Sequence, residues 1–465
     1  MDPELFRRTA EIAGEYLTSL PERPVRADAS LDELRSALRV ALEDGSKPAL
    51  QVIEELVAAA DPGIIGTQSP RYFGFVIGGG LDAAIAADWL TSVWDQNAAG
   101  YLGGPSAAVA EEVACEWLLD ILGLPGDAGV GLTTGCQMAH VTCLAAARHR
   151  ALAHAGWDVE ADGLFGAPPI RVLVGAMAHT TVFAALRMLG LGSRRVELVA
   201  ADDQGRMRAS ELERLLSSGE GPAIVIAQVG EVNTGAIDPM PAIARLAREH
   251  NAWCHVDGAF GLWAAASPTL RGLVDVVEQA DSWATDAHKW LNVPYDCGVA
   301  IVRDRTAHAA AMNSFVGAEY IPPPQHDERH AAEWVPEFSR RARGFSVYAA
   351  LRELGRGGVA ALVERCCGCA QLMAEELARD PRVTVLNDVV LNQVLVRFAC
   401  DGANVTDEVI DAVQHEGTCW MSGTVWEAEP AMRISVSNWR TTEDDIRRSA
   451  SAILAQVDSA ARASA

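Results

Sequence analysis

Apolar residues recur at helical spacing through the first 60 positions. Leu5, Phe6, Ile12, Ala13, Tyr16, Leu17 and Leu20 form one stripe. Ser30 with Glu33 makes a capping box ahead of Leu31, Leu34, Leu38 and Leu42. Short amphipathic helices bury little by themselves, so these are expected to lie on another surface, with a partner subunit as the candidate. From about residue 75 to 315 short apolar runs alternate with helical periods. Strands are predicted at 171–178, 222–229, 252–256, 281–285 and 298–302, and helices at 109–122, 137–149, 181–189, 209–216 and 242–250. Strands separated by helices imply right-handed crossovers and a mostly parallel sheet covered on both faces, an α/β fold.

Between 317 and 343 the texture changes to GAEYIPPPQHDERHAAEWVPEFSRRAR, rich in proline, histidine and charge. A long irregular segment inside a compact protein is expected to be a functional lid or to lack fixed structure. After it a helix begins near Tyr348. A strand at 390–398, a helix at 406–416, a strand at 432–437 and a helix at 442–457 follow, which describes a smaller α/β unit. The expected division is an N-terminal helical dimerisation segment (1–74), a large domain (75–347, with 317–343 as an active-site loop) and a small C-terminal domain (348–465).

Composition narrows the function. The chain has 465 residues, 22% of them charged, and a net charge of −24. That charge argues against nucleic acid or anionic membrane as a partner. No run approaches the roughly 20 apolar residues of a membrane span, and Met1–Arg8 lacks the layout of a signal peptide. Ten scattered cysteines are expected to be reduced, buried thiols in a cytoplasmic protein. Cys366, Cys367 and Cys369 lack a second ligand pair at finger-like spacing, so no metal is expected there. Lysine is the informative residue. It occurs only at 47 and 289, against 36 arginines, and Lys289 sits in the run Asp286-Ala287-His288-Lys289-Trp290. A lysine amine can lose its proton and form a Schiff base with an aldehyde, which arginine cannot.

Candidate polar groups fall just after predicted strands: His179, Glu231–Asn233, Asp257, and His288 with Lys289. Ligands of an open parallel sheet bind at the carboxyl ends of its strands, so the four outline one site. Gly131–Gln137 runs from a short strand into a helix. It reads either as a phosphate cradle of backbone amides or as a plain N-cap by Thr134. Asp257 and Lys289 are separated by one strand–helix–strand unit and would lie on nearby strands. Pyridoxal phosphate accounts for all of these together: lysine for the aldehyde, Asp257 for the pyridine nitrogen, His179 for the ring face and the helix start for the phosphate.

His255-Val256-Asp257-Gly258-Ala259, Ala280-Asp281-Ser282-Trp283 and Asp286–Leu291 resemble the group II pyridoxal-phosphate-dependent amino-acid decarboxylases of fold type I. So do Ala178–Thr181, Asn233–Pro239, Ser339–Arg343 and Met432–Trp439, all in the same order over about residues 60–450. The resemblance implies a homodimer with active sites at the interface and an N-terminal segment wrapping the partner. It implies Lys289, His179 and Asp257 as catalytic residues. Around the cofactor it implies Thr134, Gly135, Cys136, Gln137, Thr180, Asn233, Ala259, Asp286 and His288.

Several positions depart from the family pattern. Cys136 and Gln137 replace a small hydroxyl or glycine pair, and Glu231 replaces a threonine. Asp286 replaces an asparagine, and a carboxylate there would be unfavourable beside a phosphate unless it points away. The loop tyrosine associated with returning a proton to the substrate carbon is absent, with Ala331 at its position; Tyr320, His326 and His330 are the nearby acids. The leading expectation is decarboxylation of an L-amino acid, aromatic or bulky, to amine and CO₂. The alternatives are decarboxylation coupled to oxidative deamination, Cα–Cβ cleavage, and a binding scaffold without catalysis. Phe75, Trp94, Tyr320, His330 and Trp334 are the candidate substrate contacts.

Overall fold

A computed structural model describes residues 2–313 and 328–464. Three helices open the chain: α1 (Pro3–Ser19), α2 (Leu31–Leu38) and α3 (Ala49–Ala60). The capping box of α2 forms as the sequence predicts, with Ser30 and Glu33 exchanging backbone and side-chain bonds. None of the three helices contains a buried residue, as expected of stripes with no surface of their own chain to cover. Helices α4 (Asp82–Trp94) and α5 (Pro105–Leu122) lead into the large sheet.

That sheet is built from β1 (Gly129–Thr133), β2 (Arg171–Gly175), β3 (Glu197–Val199), β4 (Ala223–Gln228), β5 (Trp253–Asp257), β6 (Ser282–Asp286) and β7 (Gly298–Val302). Its order is β1-β7-β6-β5-β4-β2-β3. The connecting helices are α6 (Cys136–His154), the short α7 (Val159–Asp162), α8 (Thr180–Met188), α9 (Ala209–Ser218), α10 (Met240–Glu249) and α11 (Arg305–Met312). Strands β4 and β5 are buried at every position, the signature of a sheet covered on both faces. The sheet is mixed rather than wholly parallel. β7 runs antiparallel to both β6 and β1, because residues 287–297 join β6 to β7 without a crossover helix.

The C-terminal part begins with α12 (Gly344–Leu377), kinked at Gly355, whose φ of 58° lies outside helical space. An antiparallel sheet follows, ordered β10 (Ala403–Asn404), β9 (Gln393–Cys400), β12 (Glu429–Ser435) and β11 (Ser422–Trp426), with β8 (Val383–Val385) on β9. It carries α13 (Thr406–Glu416) and α14 (Glu443–Ser464). One continuous buried cluster runs from Phe73 through the large sheet to Val457. Asn292 pins the two parts together beside Lys289. Its Oδ1 accepts from the N–H groups of Gly79 (2.6 Å) and Trp439 (3.0 Å), and its Nδ2 donates to the Ser437 carbonyl (3.0 Å). Among the described residues no helix is long and apolar enough to cross a membrane.

Candidate active site

The carboxyl ends of β5 and β6 bring the site together. β6 ends at Asp286, and the turn that follows carries His288 and Lys289. Lys289 Nζ lies 3.0 Å from Asp286 Oδ2, both side chains being largely buried. The other oxygen of Asp286 accepts the Cys136 N–H at 2.6 Å. The carboxylate therefore points at the start of α6 rather than away from it and takes the first amide, which leaves the amides of Gln137 and Met138 for an anion. A helix start and an ammonium are both positive partners, which is why the charge is stable there. Burial works to lower Lys289, but the charges of Asp286, Cys136 and Asp257 outweigh it and hold the ammonium above its ordinary range.

The N-cap of α6 is Gly135, which has no side chain to cap with, and Thr134 does not cap this helix; the first turn is met instead by Asp286. The first helical bond is Ala139 N–H to Gly135 O, at 3.0 Å. The amides of Gln137 and Met138 precede it and face outward at the helix start. A Cβ on Gly135 would meet His288 Cε1 at 3.3 Å and Asp286 Oδ1 at 3.6 Å. A cradle open on the glycine side, with a lysine and a carboxylate beyond it, suits a phosphorylated aldehyde with a basic ring nitrogen. The residues present fit pyridoxal phosphate.

Asp257 closes β5. Its Oδ1 accepts from Ala259 N–H at 3.2 Å, and His140 Nε2 faces its Oδ2 at 3.5 Å. Burial alone would raise this carboxyl. The neighbouring His140, His179 and Lys289 overcome burial and hold it below the ordinary carboxylate range. His179 caps α8 and faces the same edge; burial lowers it, so its ring is neutral at working pH. His288 Nδ1 accepts from Cys297 N–H at 3.2 Å, so its proton sits on Nε2, turned toward Asp286, and the Tyr295 ring stacks on it at 4.3 Å. Thr180 begins α8, and the Ala259 carbonyl accepts from Asp286 N–H, tying the two carboxylate residues to one turn.

Other expected contacts lie elsewhere. Asn233 is committed to structure: its amide donates to Glu231 and its carbonyl accepts from Thr424 of β11 at 2.9 Å. Trp334 packs edge-on against His308 and under Arg305, and with His330 it lines a separate cavity of about 450 Å³ that also includes Glu112 and Cys115. Ala331 is buried in the same place, with the next residue's N–H bonded to Ala99 O. Trp94 packs against Phe345, while Phe75 is exposed beside Trp420, on the segment that passes the Lys289 turn. Tyr320 and His326 fall outside the described residues.

Sequence reasoning missed three groups here. His140 stands one helical turn after Cys136, and His255 lies two residues before Asp257 on the same strand face. Arg433 sits between buried neighbours of β12, and its charge acts on both His179 and Glu231. The available signal was a polar residue inside an otherwise apolar, fully buried run.

Comparison with known proteins identifies the family. The model of the pyridoxal-dependent decarboxylase conserved domain matches residues 32–399. The chain belongs to that family, the pyridoxal-phosphate-dependent amino-acid carboxy-lyases. It is similar to tryptophan decarboxylase 1 of Oryza sativa subsp. japonica, 26% identical over 95% of this chain and 91% of that one. In fold it is similar to Oryza sativa TDC crystallised with PLP and tryptamine (TM-score 0.90, 23% identity, 99% of each chain). It also resembles 4-hydroxyphenylacetaldehyde synthase of Rhodiola rosea (TM-score 0.87, 21% identity, 99% of each chain).

Proposed function

We propose that this enzyme decarboxylates an aromatic L-amino acid to its amine and CO₂, with Lys289 as the residue that carries the cofactor. The observation that carries the reading is the meeting of Lys289, Asp257 and the open start of α6 at one sheet edge. The tryptophan and tyrosine decarboxylases among its relatives support an aromatic substrate. When bound, pyridoxal phosphate supplies an electron sink for the pair left as CO₂ departs. The chain's own residues do the rest. The amides of Gln137 and Met138 hold the phosphate, and Asp257 stays ionised and fixes a proton on the ring nitrogen. Lys289 would bind the cofactor aldehyde as a free amine, with Asp286 Oδ2, 3.0 Å away, placed to take the ammonium proton. His179, neutral and on the same edge, covers the ring face and moves a proton at the substrate carbon.

The proposed assembly is a homodimer in which a second copy covers α1–α3 and the apolar face of α4. Phe6, Leu31, Trp89 and Val93 are exposed in the single chain, which supports a missing partner surface. The ten cysteines, all buried and free, support a reducing, cytoplasmic setting. The proposed domain limits are 1–74, 75–347 and 348–465; of the segment 317–343 proposed as an active-site loop, residues 317–327 lie outside the described residues.

A second reading is decarboxylation coupled to oxidative deamination, favoured by Ala331 at the tyrosine position and by the aldehyde synthase among the structural relatives. Incubation of the pure enzyme with the twenty amino acids, following CO₂, amine and peroxide together, separates the readings. Amine equal to CO₂ supports the first, peroxide equal to CO₂ the second, and no CO₂ refutes both. Borohydride should fix the cofactor on the peptide containing Lys289; label on Lys47 would refute the assignment.

A further inference from the structure

Behind Asp257 lies a buried file of polar groups that the reaction as described does not use. Strand periodicity puts Trp253, His255 and Asp257 on one face of β5, the face that α6 covers. The parallel register sets Ser282, the first residue of β6, beside His255. Trp253 Nε1 donates to Ser282 Oγ at 2.9 Å, and Ser282 Oγ lies 2.8 Å from His255 Nδ1. His255 Nε2 lies 2.9 Å from His140 Nδ1, and His140 Nε2 faces Asp257 Oδ2 at 3.5 Å. His140, His255 and Ser282 are fully buried. The other groups facing Asp257 are Cys136 Sγ at 4.0 Å, the Ala259 amide, the His179 ring and the Lys289 ammonium.

The proton positions in this file follow from one end. An ionised Asp257 can only accept, so His140 Nε2 must carry a hydrogen. A neutral His140 then accepts at Nδ1, which requires His255 to donate from Nε2. A neutral His255 accepts at Nδ1, and the Ser282 hydroxyl is placed to donate there. Trp253, which can only donate, closes the far end. Every donor meets an acceptor, with no charge in the file except on Asp257. Burial pushes His255 down to about 3, consistent with a ring that stays neutral.

We infer that Ser282, His255 and His140 form a one-way hydrogen-bond chain that fixes His140 as its Nε2–H tautomer and so keeps Asp257 ionised for the ring nitrogen of the cofactor. These are positioning residues: they act through Asp257 and touch neither substrate nor cofactor. The inference rests on the proposed role of Asp257.

The test uses full-length enzyme labelled with ¹⁵N-histidine, without cofactor and reconstituted with ring-¹⁵N pyridoxal phosphate. Both His140 and His255 should show the neutral Nε2–H pattern between pH 6 and 8 in the cofactor-free protein. An imidazolium or Nδ1–H signal at His140 would overturn the chain. In the reconstituted enzyme the ring nitrogen should read as protonated. His140→Leu should shift it toward the unprotonated position and raise the cofactor dissociation constant roughly 10- to 100-fold, by analogy with the loss of an outer-shell partner of a metal-binding residue. His140→Gln, which keeps a donor, should restore most of both. Ser282→Ala should leave His255 in its Nε2–H form, because His140 still requires that donor, and should move only the His255 Nδ1 resonance, which loses its hydrogen bond; an unmoved Nδ1 resonance would exclude the serine and overturn the chain as drawn. A folded His140→Leu with a wild-type ring-nitrogen signal would also refute it. Should the protein hold no cofactor at Lys289, the functional reading fails while the tautomer result in the cofactor-free protein stands.

Discussion

Gly298→Ala is the sharpest test of the cradle at the start of α6. Gly298 opens β7 and is clamped on both sides, paired with Thr133 of β1 and with Asp286 of β6. An alanine Cβ there would stand 2.4 Å from Gly135 C, 2.5 Å from its Cα and 2.7 Å from its carbonyl oxygen, all backbone atoms. Ordinary contact begins at 3.4 Å, so the surfaces must part by about 1 Å. The strand cannot retreat without breaking two ladders, so the 133–136 turn moves instead. A shift of that size breaks the 2.6 Å bond from Cys136 N–H to Asp286 and tilts the phosphate-facing amides. Overpacking of this kind costs about 1–3 kcal/mol of stability. Losing one amide bond to a charged acceptor costs about 1.5–3 kcal/mol, or a roughly 10- to 150-fold weaker cofactor complex. Urea unfolding of the cofactor-free protein gives the first quantity, and titration with pyridoxal phosphate by absorbance the second. Gly368→Ala is the control, because that helical glycine has nothing within 4 Å and alanine should stabilise by about 0.5–1 kcal/mol. A Gly298→Ala protein with wild-type stability and affinity would refute the cradle.

Asp286→Asn removes the charge that holds the Lys289 ammonium above its ordinary range; the pH profile of cofactor capture, followed by stopped flow, should therefore move toward acid, and a shift toward alkali would contradict the pairing. Glu111→Ala should cost about 3–5 kcal/mol in urea unfolding, because it strands Arg340, whose guanidinium is wholly buried 2.6 Å from that carboxylate. Ala331→Tyr should lower the melting temperature by crowding a buried site, an overpacking cost of about 1–3 kcal/mol; a stable variant would mean that the 331 turn opens readily. Burial pushes His308 and His255 down to about 3, below the ~6.5 of an exposed imidazole, so the unfolded chain binds more protons between these values. Stability should fall as pH drops from about 6.5 toward 3, and His308→Phe should flatten that slope by up to one proton, about 1.4 kcal/mol per pH unit.

The strands were legible wherever burial is complete. β7 and α13 begin and end as the apolar pattern predicts, and β4, β5 and β6 fall within a residue or so of it. α4 was missed because the polar residues of DAAIAADWLTSVW are few and scattered, which leaves no clear stripe to read. β11 was missed for a different reason: five residues at an exposed edge, with only its two end residues buried, resemble a loop. The antiparallel course of β7 could have been read from the missing crossover helix. Lys289 and Asp257 were legible because charged groups at strand ends have few structural reasons to be there. His140 and His255 were not, since a buried histidine earns its meaning only from a partner contributed by another element. The direction of the Asp286 side chain also depended on geometry, because the turn after a strand decides where its last carboxylate points.

The two carboxylates at the ends of β5 and β6 show how one sheet edge keeps similar groups apart in function. Both are buried, and each would be a poor neighbour for a phosphate if left unpaired. Asp286 is held by an ammonium and a helix amide, both of which spend their positive character on it. Asp257 is faced at 3.5 Å by His140 Nε2, a ring donor held from behind by His255. The consequence is that Asp257 keeps its charge available to a cationic ring nitrogen, whereas Asp286 is already compensated and bears on the lysine instead. An asparagine at 286 would serve the helix amide equally well but would leave Lys289 without its counter-charge. The aspartate in this chain therefore belongs to the control of the lysine, and the difference should be sought in how readily the cofactor is captured before it is sought in turnover.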